Sequence, residues 1–218
     1  VINVANGRRE HGMLPSSITN AQDYPDFTRG AIVHRQNYDE SLLLGPLAAA
    51  TDREQYTLEF AMHWDKKLPT TTWNYGYMAF GRSHDGPLGI AGKFRGASED
   101  GCYVLALRPG AKVRDEHGKY RTGDLAQLIR LDGGPGASRE GKVLHTMNLK
   151  KPIKPNESIE GKIVVKGKYF YFVINGQYSA QIHDAAYRGP YVHFGRYHGN
   201  ATGGPLVLTR ALARESWA

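Results

Sequence analysis

Apolar and polar residues alternate over short runs along most of this chain. The clearest run is YTLEFAMHW, where Tyr56, Leu58, Phe60, Met62 and Trp64 alternate with Thr57, Glu59, Ala61 and His63. A period of two is the mark of a strand with one buried face. WNYGYMAFG follows, after the turn-like KKLPTTT, and GCYVLALRP is a short apolar run bounded by Gly and Pro, as a buried strand would be. GKIVVKGKYFYFVINGQYSAQIH predicts three strands, separated by a turn at Lys166-Gly167-Lys168 and by Asn175-Gly176. Asn-Gly is a strong hairpin signal, because both positions of the tight turn need a positive φ. GPYVHFGRYHG and GPLVLTRALAR predict the closing strands.

Helix signals are poor. ESLLLGPLAAATDREQ has room for a turn or two of helix, but Gly45-Pro46 interrupts it. Many short strands between turns, without alternating helices, predict an all-β fold: a β-sandwich or jelly roll of two antiparallel sheets. No internal repeat or second domain is visible, so residues 1–218 are expected to form one domain, with an irregular segment over 1–30 wrapping it. The Gly-rich LDGGPGASREGK at 131–142 lacks a phosphate-loop pattern and is expected to be a mobile loop.

Composition narrows the class. Hydrophobic residues make up 40% and charged residues 22%, which is globular rather than disordered. No run approaches the roughly 18 apolar residues of a membrane-spanning helix. The opening VINVANGRREHG has no apolar stretch of the signal-peptide kind. One cysteine, Cys102, allows no intramolecular disulfide, which leans toward the cytosol, but a core of this size does without one, and the expected location is extracellular. The net charge of +7 favours a polyanionic partner. No nucleic-acid motif is present, so neither nucleic acid nor a membrane is the expected partner, and a monomer is expected.

Several familiar chemistries lack their residues. There is no Cys pair or HExxH for zinc, no GxSxG nucleophile elbow and no calcium loop of spaced acids, so no metal and no cofactor is expected. What recurs on strands is His, Tyr and Arg. In GPYVHFGRYHGN, strand alternation points Tyr191, His193, Gly195 and Tyr197 one way and Val192 and Phe194 the other. Such a face suits the floor of a sugar-binding groove, with Gly195 leaving room for the polymer to cross the backbone.

YVHFGRYHG resembles the C-terminal strand of jelly-roll polysaccharide lyases of the alginate-lyase type, within the concanavalin A-like superfamily. The family pattern is Tyr-Phe-Lys-Ala-Gly-x-Tyr-Asn-Gln. Tyr191, Gly195 and Tyr197 match it, while His193 replaces the Lys and His198-Gly199 replace the Asn-Gln. The similarity covers roughly residues 157–210. FGRSHDGPLGIAGKF resembles the family's Gln-Ile-His strand, with His84 at the His and Arg82 at the Gln. Gln181-Ile182-His183 spells that motif literally but comes much later in the chain than the family has it. VHRQNYDES is similar to the family's arginine strand, with Arg35 at its Arg and Asn37 nearby.

The resemblance implies β-elimination on a uronic-acid-containing anionic polysaccharide. The uronate must be neutralised, the proton beside it removed and the departing oxygen protonated. Arg grips a carboxylate with its planar fork, and His or Tyr moves protons. Tyr197 is then the acid and a candidate base, His84 the partner base or neutraliser, and Arg35 the carboxylate ligand. Arg82, His193, Tyr191, Asn37 and Tyr75 line the substrate site, and Lys93 adds charge at its rim. Two other readings stay open on the same sandwich. A non-catalytic lectin or carbohydrate-binding module would stack sugars on Trp73, Tyr75, Tyr77 and Tyr191. A glycoside hydrolase would need two facing carboxylates, Glu59 being the first to test.

Overall fold

The computed structural model describes residues 32–34, 41–47, 51–72, 74–84, 101–133, 141–197 and 203–215. Over these residues the chain runs β1 (Ile32–His34), β2 (Ser41–Pro46), β3 (Gln55–Trp64), β4 (Tyr75–Gly81), β5 (Cys102–Arg114), β6 (Tyr120–Leu131) and β7 (Lys142–Asn148). It continues through β8 (Ile159–Lys166), β9 (Tyr169–Ile174), β10 (Gln177–Tyr178), β11 (Ile182–His183), β12 (Gly189–Tyr197) and β13 (Leu206–Glu215). No helix occurs among the described residues. The strands form two antiparallel sheets. One has seven strands, in the order β1-β13-β3-β8-β9-β10 with β11 also on β9. The other has six, in the order β2-β12-β4-β5-β6-β7.

The alternation read in YTLEFAMHW is the one the sheets use. Tyr56, Leu58, Phe60, Met62 and Trp64 are all buried between the sheets, together with Phe170, Phe172 and Ile163 from β8 and β9. The six-stranded sheet answers with Met78, Phe80, Tyr103, Leu105, Leu128 and Phe194. Phe80, Tyr103 and Phe170 meet ring to ring across the interface, at centroid separations of 4.8–5.8 Å. Asn175 and Gly176 both take positive φ, 48° and 78°, and close the β9–β10 hairpin.

Three local expectations are corrected. Residues 41–46 are the edge strand β2, not a helical turn; Leu43 and Leu44 are both buried, so the apolar run had no periodicity to separate strand from helix. The strand in GCYVLALRP does not stop at Pro109. A register shift between Arg108 and Ala111 absorbs Pro109-Gly110, with Gly110 at φ 55°, and the ladder resumes to Arg114. Strands β6 and β7 are additional to those predicted. Leu125, Ala126, Gln127, Leu128 and Ile129 are all buried, so β6 is covered on both faces and shows no alternation. The expected irregular segment 1–30, and residues 134–140 of the expected mobile loop, lie outside the described residues.

The approach to β12 is pinned by polar contacts. Tyr103 Oη donates to Asp184, and Arg130 Nη1 donates to the other oxygen of that carboxylate at 2.6 Å. Burial works against the Asp184 anion, but the hydrogen bonds from Tyr103, the Ala186 amide and Arg130 hold its carboxyl below the usual range. Tyr187 Oη donates to Asp132 at 2.5 Å. Arg188 Nη2 donates to the Gly167 and Asp184 carbonyls at 2.9 and 2.7 Å. The connection between β11 and β12 is thus tied to both sheets before the strand begins. Asp184→Asn should cost roughly 1.5–3 kcal/mol of unfolding free energy, the range for hydrogen bonds to a charged group. Asp132→Asn, at a half-exposed carboxylate, should cost under about 1 kcal/mol. Urea titration compares the two; equal costs would remove Asp184 as the anchor.

Candidate functional site

The face of the six-stranded sheet turned away from the core is ordered in rows. Tyr75 on β4 pairs with Tyr197 on β12, and their rings stack at 5.0 Å and 10°. On the other side of Tyr75, the Arg108 guanidinium from β5 lies 4.3 Å from the ring centroid. One row therefore reads Arg108–Tyr75–Tyr197 across three strands. The next holds Ala106, Tyr77 and Gly195, and the third Val104, Ala79 and His193. Tyr75, Tyr77, Ala79, Cys102, Val104, Ala106 and Ile129 form an apolar cluster on this face, with Tyr197 half-buried against it.

The third row carries a buried polar pair. Arg82 Nη1 lies 3.4 Å from His193 Nε2, and both side chains are shut off from water. Guanidinium nitrogens only donate, so Nε2 accepts and the ring proton sits on Nδ1. Burial pushes the His193 pKa down to about 3, the Arg82 charge adds to the shift, and a hydrogen bond to the His84 backbone opposes it. His193 is a neutral acceptor near neutral pH, not a charge on the sheet.

Strand β12 is regular only from His193 onward. Its pairing with β4 shifts between Gly189 and His193, and its pairing with β2 shifts between Val192 and His193. Val192 and Phe194 both enter the inter-sheet core, so alternation keeps Tyr191 on the side of His193, Gly195 and Tyr197, although its ladder to β4 is interrupted. Tyr191 is half-buried and bonds through its amide to the Arg82 carbonyl at 3.0 Å. Gly195 leaves no passage for a polymer: a Cβ there would come within 2.5 Å of Tyr77 Oη, so the phenol of Tyr77 occupies the space.

The expected site residues fall into two groups. Tyr197 and Tyr75 share the first row, while Arg82, His193 and the exposed His84 gather at the third. His193 and Tyr197 stand four positions apart on β12, about 13 Å between their Cα atoms. His84 lies beside His193, whose ring bonds to its backbone. Arg35, Asn37, Lys93 and Trp73 lie outside the described residues. Gln181-Ile182-His183 belongs to the other sheet, where β11 pairs with β9. Glu59 also lies on the other sheet, in ion pairs with Arg214 at 2.9 Å and Lys162 at 3.8 Å. Arg108 was not singled out in the sequence. The signal was there: counting by two from Cys102 through Val104 and Ala106 reaches Arg108 as the first charge on that face.

Carboxylates are scarce on this sheet. Its described strands contain one acidic residue, Asp124, and both of its oxygens accept backbone amides, from Gly110 at 2.7 Å and Ile153 at 2.8 Å. The face offers cations, phenols and a neutral imidazole, and no facing acids among the described residues.

No family model matches this chain, and no curated protein sequence matches it. Solved structures do. The carbohydrate recognition domain of Emp46p, in its metal-free form, superposes at TM-score 0.63 and 13% identity, covering 94% of this chain and 97% of that one. The carbohydrate-binding module CBM66 from Bacillus subtilis gives 0.51 and 14%, covering 83% and 84%. The alginate lyase A1-II', of polysaccharide lyase family 7, gives 0.49 and 16%, covering 91% and 85%, a likeness too distant to carry an argument. The fold is the concanavalin A-like sandwich, and fold does not by itself fix function.

Two measurements check the geometry. Gly195→Ala should destabilise by about 1–3 kcal/mol, because the new methyl must displace a buried phenol; an unchanged urea midpoint would mean the space is open. Protonation of His193 gives the second. The unfolded chain takes up this proton near 6.5 and the folded chain only near 3, so the unfolded state binds more protons in between and stability falls as pH falls through that window. Between pH 7 and 4.5 His193 should account for a loss on the order of 2–3 kcal/mol. The same pH drop should cost His193→Gln correspondingly less, and parallel curves for the two proteins would contradict the neutral buried ring.

Proposed function

We propose that this chain cleaves a uronic-acid-containing anionic polysaccharide by β-elimination, with Tyr197 as both base and acid. The observation that carries the reading is the row Arg108–Tyr75–Tyr197, a guanidinium and two phenols on one sheet face whose strands hold no uncommitted carboxylate. A hydrolase needs two facing acids, and among the described residues this sheet does not supply them. Elimination needs none.

The chemistry balances on these groups. Arg108 neutralises the uronate, which makes the adjacent C–H acidic. The Tyr197 phenolate takes that proton. The C–H electron pair becomes the new double bond, and the bond to the glycosidic oxygen breaks. The Tyr197 phenol then returns the proton to the departing oxygen, and the phenolate is restored. One residue serves both steps because proton and leaving group lie on the same side of the sugar ring. His84, beside His193, binds rather than reacts.

A second reading is a non-catalytic carbohydrate-binding module. The observation favouring it is the burial of Tyr77, Arg82 and His193, which gives those side chains structural work.

Ultraviolet absorbance over a panel of alginate, glucuronan, ulvan, pectate and glycosaminoglycans separates the readings, because elimination creates a conjugated unsaturated uronate and hydrolysis does not. The expected result is a rise on one polymer. Tyr197→Phe should lower that rate on the order of 10²–10⁴-fold with the ring stack and the fold retained. Arg108→Ala should raise KM and lower kcat, and His84→Ala should keep kcat within about threefold of the parent, well short of an acid–base loss. Reducing ends without absorbance would overturn the reading in favour of hydrolysis, and retention on the polymer without turnover would favour the binding module.

A further inference from the structure

The opposite edge of the sandwich carries a second arrangement of aromatic rings and cations, separate from the face just described. Tyr178 on β10 is 69% exposed. Its ring lies nearly parallel to that of Tyr171 on β9, at 28° and 6.1 Å between centroids. Rings in direct face-to-face contact approach to about 4 Å, so this pair is slid apart and presents a broad apolar floor. The other highly exposed ring among the described large hydrophobics, Tyr120, already has the Arg114 guanidinium over it at 4.5 Å.

Beside this floor is a cleft of about 370 Å³, walled on one side by the β9–β10 turn and on the other by Leu149, Lys150 and Lys151. That volume is at the lower end for a small-ligand site, about 300–1,000 Å³. The walls are built in advance. Gln177 Oε1 accepts the Lys150 amide at 2.9 Å, and its Nε2 donates to the Asn148 carbonyl at 2.7 Å, which clamps the loop to the hairpin. The Asn175 amide donates to the Glu160 carbonyl at 2.8 Å, and Asn175 Oδ1 accepts the Glu160 amide at 2.9 Å, which holds the turn. Lys151 is paired with Glu157 at 2.9 Å, whereas the Lys150 ammonium has no carboxylate within ion-pair distance among the described residues. Lys154 is likewise exposed and without an ion pair among the described residues, so the 150–154 segment sets Lys150, Lys151 and Lys154 against Glu157.

We infer that this edge is a second glycan-binding surface, and that its ligand is an acidic sugar of a polysaccharide chain. A pyranose lays its C–H face on the exposed Tyr178 ring, which lines the cleft together with Lys150, as apolar ring surfaces do on aromatics. Its carboxylate meets Lys150, a point charge that needs no forked geometry. A preformed cleft spares the ordering cost of binding. The class of polymer rests on the elimination reading, but the surface stands on its own geometry and carries no catalytic group. It would hold the polymer while a distant segment reacts on the other sheet.

Native electrophoresis of the full chain through gels containing alginate or polygalacturonate, against gels containing a neutral glucan or single-stranded DNA, tests this, with cleavage of short oligosaccharides followed in parallel. Retardation by one of the acidic glycans is expected, weakened by salt. Tyr178→Ala with Lys150→Gln should weaken it roughly tenfold, the loss of an aromatic anchor and its ion pair. Tyr178→Phe should keep it, since the ring and not the hydroxyl makes the floor. Cleavage of short oligosaccharides should be unchanged in both variants. Undiminished retardation in the double variant, or retardation by DNA alone, overturns the inference. Loss of retardation in a chain that shows no cleavage would support this surface while removing the elimination reading; cleavage without retardation by any acidic glycan would do the reverse.

Discussion

Every side chain on the six-stranded sheet is placed by one constraint, the two-residue period of its strands acting on a sheet buried on both faces. Once Met78, Phe80, Tyr103, Leu105 and Phe194 are committed to the inter-sheet core, the residues between them have no choice of side. Tyr75, Tyr77, Val104, Ala106 and His193 must point the other way. Packing in the core therefore sets the rows on the outer face. A slip of one residue in β12 would send His193 and Tyr197 into the apolar core and expel Phe194. The contacts that anchor Asp184 and Arg188 ahead of β12 guard against that slip, since they fix the strand's starting point on both sheets.

The same constraint decides the electrostatics. A face that is largely buried and carries arginines must find acceptors for them without using water. Carboxylates are not available for this on the described strands, because Asp124 is spent on two backbone amides. Arg82 is met by the neutral ring of His193, and Arg108 by the π-face of Tyr75. Neither of these two contacts is itself an ion pair. An arginine held in this way attracts an anion most strongly where it lies nearest water. That place is the first row, where Tyr197 is half-buried, and not the third, where Arg82 and His193 are sealed.

Legibility in the sequence followed from how many faces of a strand are covered. Strand β3 has one face in the core and one with Glu59 and His63, and YTLEFAMHW could be read residue by residue. The Asn175-Gly176 turn was equally plain, because few residues tolerate two positive φ values. Strands β2 and β6 are buried on both sides, and their sequences carry no alternation that separates them from loops or helices. The site was legible in part for a related reason. Alternation placed His193 and Tyr197 on one face, but it cannot see the register shifts that interrupt the ladder before His193, nor the phenol of Tyr77 that fills the space over Gly195. It also gives no distance. The spacing of the His193 and Tyr197 rows is fixed by pairing that the sequence alone does not show.

That spacing has a mechanistic consequence. Two groups that share a proton transfer across one glycosidic bond must both lie within hydrogen-bond reach of neighbouring atoms. With the His193 ring sealed and its Cα about 13 Å from that of Tyr197, the elimination reading leaves Tyr197 to serve both steps. A polymer lying along β12 would cover both rows at once. To reach the Tyr171–Tyr178 floor as well it would have to pass around the edge of a sandwich whose sheets stand about 10 Å apart, so only a chain of many residues could engage both surfaces. The advantage of the second surface would then grow with polymer length and vanish for short oligosaccharides, because tethering raises the local concentration of a substrate only when the linker spans both sites.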